Sequence, residues 1–177
     1  MRAKGFEEIS PQRKYHGIST QIIAQIKNVR VPFNVDIGVG DIIVPRAEER
    51  TINTQLPDFE APVIKTYSLE STIAEKFDAI LQRFELTGRM KDFYDIYYLS
   101  RTFDFEGAKL QAAIFETLQR RGTPYDRDSF KRVVALADDE DMQKRWKFFL
   151  KTIKDNTLEF HLSLKKSRLF LSLCLIR

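Results

Sequence analysis

VPFNVDIGVGD, residues 31–41, carries the first half of the fold. With the alternation of a strand, Val31, Phe33, Val35, Ile37 and Val39 share one face, and Pro32, Asn34, Asp36, Gly38 and Gly40 share the other. The first face reads as core. The second sets Asp36 between small residues that leave room for a ligand beside its carboxylate.

On its N-terminal side stands GISTQIIAQI (17–26), and Lys27-Asn28 between the two reads as a hairpin turn. Antiparallel pairing would then place Asp36 well inside a sheet. Residues 46–60 are polar, are bracketed by Pro45 and Pro62 with Pro57 among them, and read as a loop leading to a short strand, VIKTY (63–67). Near residue 68 the character of the chain changes to helical. Ser68 is the expected N-cap of a first helix over about 69–85. Thr87-Gly88 breaks it, RMKDFYDIYYLSR (89–101) forms a second, and EGAKLQAAIFETLQRR (106–121) and DEDMQKRWKFFLKTIKD (139–155) form two more. The predicted class is α+β, a partial antiparallel or mixed sheet over 1–67 followed by a helical domain over 68–177.

Composition agrees with such a chain. The 177 residues are 43% hydrophobic and 31% charged, which excludes a disordered or fibrous protein. Lys+Arg number 29 against 25 Asp+Glu, a mild excess that suits a phosphate-bearing partner and equally suits a plain solvated surface. The single cysteine, Cys174, excludes an internal disulfide and a cysteine-based zinc site. No signal-like start and no apolar run near the ~20 residues of a membrane span are present, so a cytoplasmic protein with no membrane contact is expected. His16 and His161 belong to no metal or nucleophile motif and read as structural or surface residues.

In the first helix, Ile73, Phe77, Ile80 and Phe84 fall in one narrow arc at 100° per residue and form the buried stripe. Lys76 and Arg83, seven apart, lie on one flank of it. They are either surface cations whose stems run along the core edge or a phosphate site. In the second helix Met90, Phe93, Tyr94 and Tyr97 make one apolar face and Ile96 and Leu99 another, so the helix should be largely surrounded. Asp92 shares its side with Ile96 and Leu99, and a carboxylate placed there must be paired. Its partner is a cation from a neighbouring turn or helix, Lys76, Arg83 or Arg89, or else it lines a nucleotide pocket.

The stretches NVDIGVGDIIVP (34–45) and YSLESTIAEKFDAILQRFELTGRMKDFYDIYYL (67–99) resemble the AbiEii/AbiGii nucleotidyltransferase-like toxins, a branch of the DNA polymerase β-type transferase fold. The resemblance runs from about Gly17 to Trp146, and the EKFDAI…R…KDFYDIY block is its specific part. It implies a bacterial toxin of a toxin–antitoxin or abortive-infection module, with a cognate antitoxin, that moves a nucleotide from an NTP to RNA such as the tRNA acceptor end. By the same resemblance Asp36 is a Mg²⁺ ligand and catalytic carboxylate, and Lys76 is the phosphate contact. Asp92 is a further catalytic residue, and Arg83, Lys91 and Asp95 join Lys76 around the nucleotide.

The sequence also departs from that pattern. Members of the family carry a Gly-Ser or Gly-Gly turn and a D-x-D strand ahead of the position of residue 1. No D-x-D occurs here before Asp36. The expectation is a catalytic sheet lacking its first third, with no second strand carboxylate for Asp36, weak or absent Mg²⁺ binding, and no activity from the chain alone. A second reading keeps the helical part as a non-catalytic remnant or split-gene half that binds a nucleotide or a partner. The ending LSLKKSRLFLSLCLIR (162–177), with Leu at 169, 171, 173 and 175, reads either as a terminal strand or as a frameshifted product.

Overall fold

The computed structural model describes residues 2–9, 17–40, 42–84, 88–126, 128–154, 158–160 and 162–164. His16, His161, Cys174 and most of the leucine-rich ending lie outside the described residues. The architecture is α+β, as the sequence predicts, and it divides into two compact units, Met1–Asp41 and Ile42–Arg177.

The first unit is an antiparallel sheet in the order β1 (Arg2–Ile9), β2 (Gly17–Ile26), β3 (Val29–Gly38). The expected hairpin forms. Ile26 pairs with Val29 across Lys27-Asn28, and Lys27 takes the positive φ of 53° that so short a turn demands. β1 was not foreseen, and it leaves β3 at the edge of the three described strands, so Asp36 is on an edge strand and not inside the sheet.

The face read as core is largely exposed, with Thr20 buried and Ile22 and Val35 half-buried at its centre. Opposed residues of β2 and β3 share a side, which groups Ile18, Ile22 and Ile26 with Val29, Val31, Phe33 and Ile37. Of these, Val29 and Ile26 are 61% and 71% exposed and even Phe33 is 38% exposed. Alternation identified the apolar face correctly, but three strands without a second layer cannot bury it.

The second unit opens with a small antiparallel pair, β4 (Glu48–Thr51) and β5 (Val63–Thr66). β5 stands where VIKTY predicted a strand. β4 corrects the loop expected over 46–60, because its sequence, EERT, has no apolar alternation and only Thr51 as a strand-favouring residue to mark it. The helices follow: α1 (Leu69–Leu81), α2 (Met90–Thr102), α3 (Gly107–Arg121), α4 (Ser129–Ala135) and α5 (Glu140–Thr152). Several of their ends have a local cause. Ser68 caps α1 as expected, its Oγ accepting from Ser71 N at 3.1 Å while its hydroxyl donates to the Val44 carbonyl. Asp139 caps α5 through Met142 N at 2.8 Å, with Glu140 and Asp141 in the first turn and Lys151 in the last, which suits the helix dipole. Gly122, at φ 64°, ends α3 in the left-handed conformation that favours glycine. α1 ends at Leu81, short of the expected 85, so its stripe ends at Ile80 and Phe84 only leans on the core.

α1 is the axis of the unit, with α2 and α3 both packed on it. Ile73, Phe77 and Ile80 meet Met90, Phe93 and Ile96 of α2 and Leu110, Ile114 and Leu118 of α3, all nearly inaccessible to solvent. α5 seals the far side of α2 with Trp146, whose ring lies near those of Tyr94 and Phe160 and whose Nε1 donates to the Leu158 carbonyl at 2.9 Å. Burying this set of large side chains, at ~1.5–3 kcal/mol each, supplies the main drive for folding the unit.

Candidate functional site

The helical block that carried the resemblance forms one charged cluster at the seam of α1 and α2. Lys76 projects from α1 beside the core stripe, so its stem is half-buried and its ammonium must find partners nearby. Those partners come from α2. Nζ donates to Asp95 Oδ2 at 2.6 Å and to Asp92 Oδ1 at 3.3 Å. Asp95 Oδ2 also accepts from Lys91 Nζ at 2.6 Å, one helical turn earlier. Asp92 Oδ2 lies 3.4 Å from Arg89 Nη1, within ion-pair reach but without hydrogen-bond geometry.

Of the partners left open for Asp92, Lys76 and Arg89 are present and Arg83 is not. Arg83 follows the last helical residue of α1, where 100° per residue no longer applies. It is exposed and makes no ion pair with a described carboxylate.

Asp92 is 8% exposed as a residue, so its charge is costly to leave uncompensated. The cluster holds three cations, Lys76, Arg89 and Lys91, against two carboxylates, and its excess charge is positive. A lysine ammonium has three donors, and the aspartates take two. An anion arriving at the seam can engage the third donor and the two more exposed cations. It must compete with Asp92 and Asp95 for Lys76 itself.

A second buried network, on the opposite flank of α1, was not anticipated. Asp78, two residues after Lys76, has no exposed surface. Its Oδ2 accepts from Gln82 Nε2 at 2.9 Å and Arg121 Nη1 at 3.1 Å, and its Oδ1 accepts a short hydrogen bond from Thr123 Oγ1. Arg121 also reaches Glu75 Oε1 at 3.2 Å. Gly122 makes this possible, because its left-handed turn brings Thr123 back over the end of α3, with Thr123 N bonded to the Leu118 carbonyl. Position 78 sits among Phe77, Ile80 and Leu81, and that apolar setting was the one signal in the sequence that a carboxylate here is buried. The network ties α1 to the end of α3.

In the first unit Asp36 is exposed, and its Oδ1 accepts from Ser19 Oγ at 2.6 Å. The register adds a carboxylate that the sequence reading missed. Glu7 of β1 pairs with Ser19, which pairs with Asp36, so Glu7, Ser19 and Asp36 form a row on one face. The backbones of Glu7 and Asp36 stand two strand spacings apart, roughly 10 Å. These are hard oxygen donors of the type Mg²⁺ takes, but an octahedral ion needs more of them. Among the described residues no three His, Cys, Asp or Glu side chains converge to hold a metal. The residues present do not by themselves fit a Mg²⁺ site. Two D-x-D patterns occur later in the chain, and their aspartates, Asp126 and Asp128, Asp139 and Asp141, stand at helix starts and not on a strand. Asp126 accepts from Ser129 N at 2.6 Å at the head of α4, and Asp139 is the cap of α5.

The structure is thus an α+β protein with a carboxylate on its antiparallel sheet and lysine and aspartate gathered at one seam of its helical unit. The family model described as "Nucleotidyl transferase AbiEii toxin, Type IV TA system" matches residues 2–166, and the chain belongs to that family. Membership makes it a nucleotidyltransferase-like toxin of a type IV toxin–antitoxin system and implies a cognate antitoxin. Among curated proteins and solved structures nothing matches the chain. No helix among the described residues is long and apolar enough to cross a membrane.

Proposed function

We propose that the chain serves nucleotidyl transfer from an NTP to an RNA acceptor, the tRNA acceptor end being the leading candidate, in the bacterial cytoplasm. The observation that carries this reading is Lys76: a half-buried ammonium, aimed by two packed helices, with more cation than carboxylate around it. In this role Lys76 takes the triphosphate as a compact, mobile point charge. Asp92 and Asp95 hold it in place until the nucleotide arrives, and Lys91 and Arg83 contribute charge at the edges. Asp92 is the helical carboxylate of the site.

Asp36 is assigned as one Mg²⁺ ligand, with Glu7 and Ser19 beside it on the same face. The missing oxygens belong to a D-x-D strand of the family type that these 177 residues do not supply ahead of Asp36, and the chain alone is therefore assigned no turnover. A second reading, a helical module that binds a nucleotide or a partner without chemistry, is favoured by one specific feature. Both α2 carboxylates already have cations at ion-pair distance.

Equilibrium titration of a fluorescent NTP tests the assignment of Lys76. Lys76→Met, which keeps the apolar stem, is expected to weaken binding at least ~10-fold, the equivalent of ~1.4 kcal/mol. Equal binding by parent and variant, with unchanged melting, would remove Lys76 from the site.

A further inference from the structure

α5 buries one side and presents a basic, aromatic-bearing side to solvent. Met142, Trp146 and Leu150 are buried. At 100° per residue Lys144, Lys147 and Lys151 fall within an arc of roughly 60° on the opposite side. Phe148 lies beside them, four residues after Lys144 and three before Lys151. Its ring is uncovered: the residue is 75% exposed, more than any other large hydrophobic residue described.

Glu140 and Asp141 stand at the first turn of this face, and beyond that turn its charge is poorly compensated. Lys144 has a loose surface partner, Asp141 at 3.2 Å, with both side chains more than 70% exposed, an arrangement that contributes little. Lys147 and Lys151, one turn apart, have no ion pair with a described carboxylate, and like charges at that spacing destabilise a helix. Three cations and an uncovered aromatic ring therefore share the same two turns. A polyanion whose units also have flat faces engages both at once, with phosphates on the ammonium groups and a base on the ring. An acidic polypeptide would neutralise the lysines but would cover Phe148 only where an apolar side chain happened to fall at the matching spacing, whereas each nucleotide brings both a phosphate and a stacking face.

We propose that this face of α5 binds a single-stranded segment of RNA, Lys144, Lys147 and Lys151 on successive phosphates and Phe148 stacked on a base. The proposal rests on the reading above that the acceptor is RNA, and it assigns the surface that holds that acceptor away from the Lys76 seam.

The test is fluorescence anisotropy of labelled oligouridylate with the full chain, over a salt series and without NTP. For the parent, log K is expected to fall linearly with log salt. Lys147→Ala/Lys151→Ala should reduce that slope by about 1.4, at ~0.7 for each phosphate no longer neutralised. Phe148→Ala should weaken binding about 10-fold while leaving the slope unchanged, because it removes a stack and no charge. These positions are exposed, so the variants should melt like the parent. Parent-like affinity and slope in both variants would overturn the proposal, and so would tighter binding of polyglutamate than of oligouridylate. Since no nucleotide is added, the result is independent of transfer. Failure here removes α5 and leaves the Lys76 reading standing, whereas intact α5 binding without NTP binding would count against Lys76 alone.

Discussion

Arg121, the last residue of α3, places Nη1 3.1 Å from Oδ2 of Asp78, a carboxylate in the middle of α1 with no exposed surface. The pair is a tie between helices in the interior of the unit, and its value lies in compensating a buried charge. Thr123 and Gln82 donate alongside Arg121, so the buried charge of Asp78 is met by three hydrogen bonds. Removing one member leaves the other's charge or donors without a partner, which costs more than the intact pair contributes.

Arg121→Ala is therefore expected to lower stability by about 3 kcal/mol, read as a shift of the urea midpoint at constant slope. Thr123→Val should cost less, about 1–2 kcal/mol, since Arg121 and Gln82 remain on the carboxylate. A change below ~0.5 kcal/mol in Arg121→Ala, as at an ordinary surface site, would show that Asp78 is not held as described.

At the other flank, Asp92→Asn is expected to cost about 1.5–3 kcal/mol, because a nearly buried group gives up its charge-assisted pairing with Lys76 and Arg89. Asp95→Asn should weaken the hold on both Lys76 and Lys91 and loosen the start of α2. A variant at position 92 that melts and binds nucleotide like the parent would make Asp92 a mere surface charge.

Much of this cluster could be read from residue spacing. Ser68 as a cap, the identity of four helices, and the need of Asp92 for a cation followed from the 3.6-residue period and the cost of a buried charge. What escaped has physical causes. β4 is polar on both sides and is defined only by its partner β5. α4 is short, and Asp126 at its head sits in a run that also looks like a turn. Asp78 and Arg121 are 43 residues apart, and no local period reports a pairing at that distance. Arg83 is not among the partners of Asp92, since the helix that would have aligned it with Lys76 ends at Leu81. Glu7 escaped because its place beside Asp36 depends on a strand register across Ser19.

The head of α4 makes a pH prediction. The Ser129 hydroxyl hydrogen bond, aided by the Ser129 N–H and by Arg132, holds the Asp126 carboxyl below its ordinary range, against a smaller opposing effect of desolvation. A carboxylate whose folded pKa is depressed adds stability that is fully present above the unfolded pKa and is lost as pH falls through the folded one. Protection of the α4 amides against hydrogen exchange should thus fall in acid, below the ordinary carboxylate pKa. In Ser129→Ala the Asp126 midpoint, followed by NMR, should move up. An unchanged midpoint would rule out the hydroxyl as the cause.

For metal, the chain is expected to bind Mg²⁺ no more tightly than millimolar, because Asp36, Glu7 and Ser19 lie in a row on an open face and cannot enclose a hard octahedral ion. Isothermal titration giving micromolar affinity that disappears in Asp36→Ala would show a complete site.

The decisive assay is transfer of labelled nucleotide to RNA in Mg²⁺, comparing the chain alone with the chain fused at Met1 to a family-type turn and D-x-D strand. We expect no transfer by the chain alone, transfer by the fusion, and loss of most of that transfer in Asp36→Ala and in Lys76→Ala. A folded, soluble fusion that binds NTP and transfers nothing would contradict the assignment of transferase chemistry, and transfer by the unassisted chain would contradict the incomplete metal site.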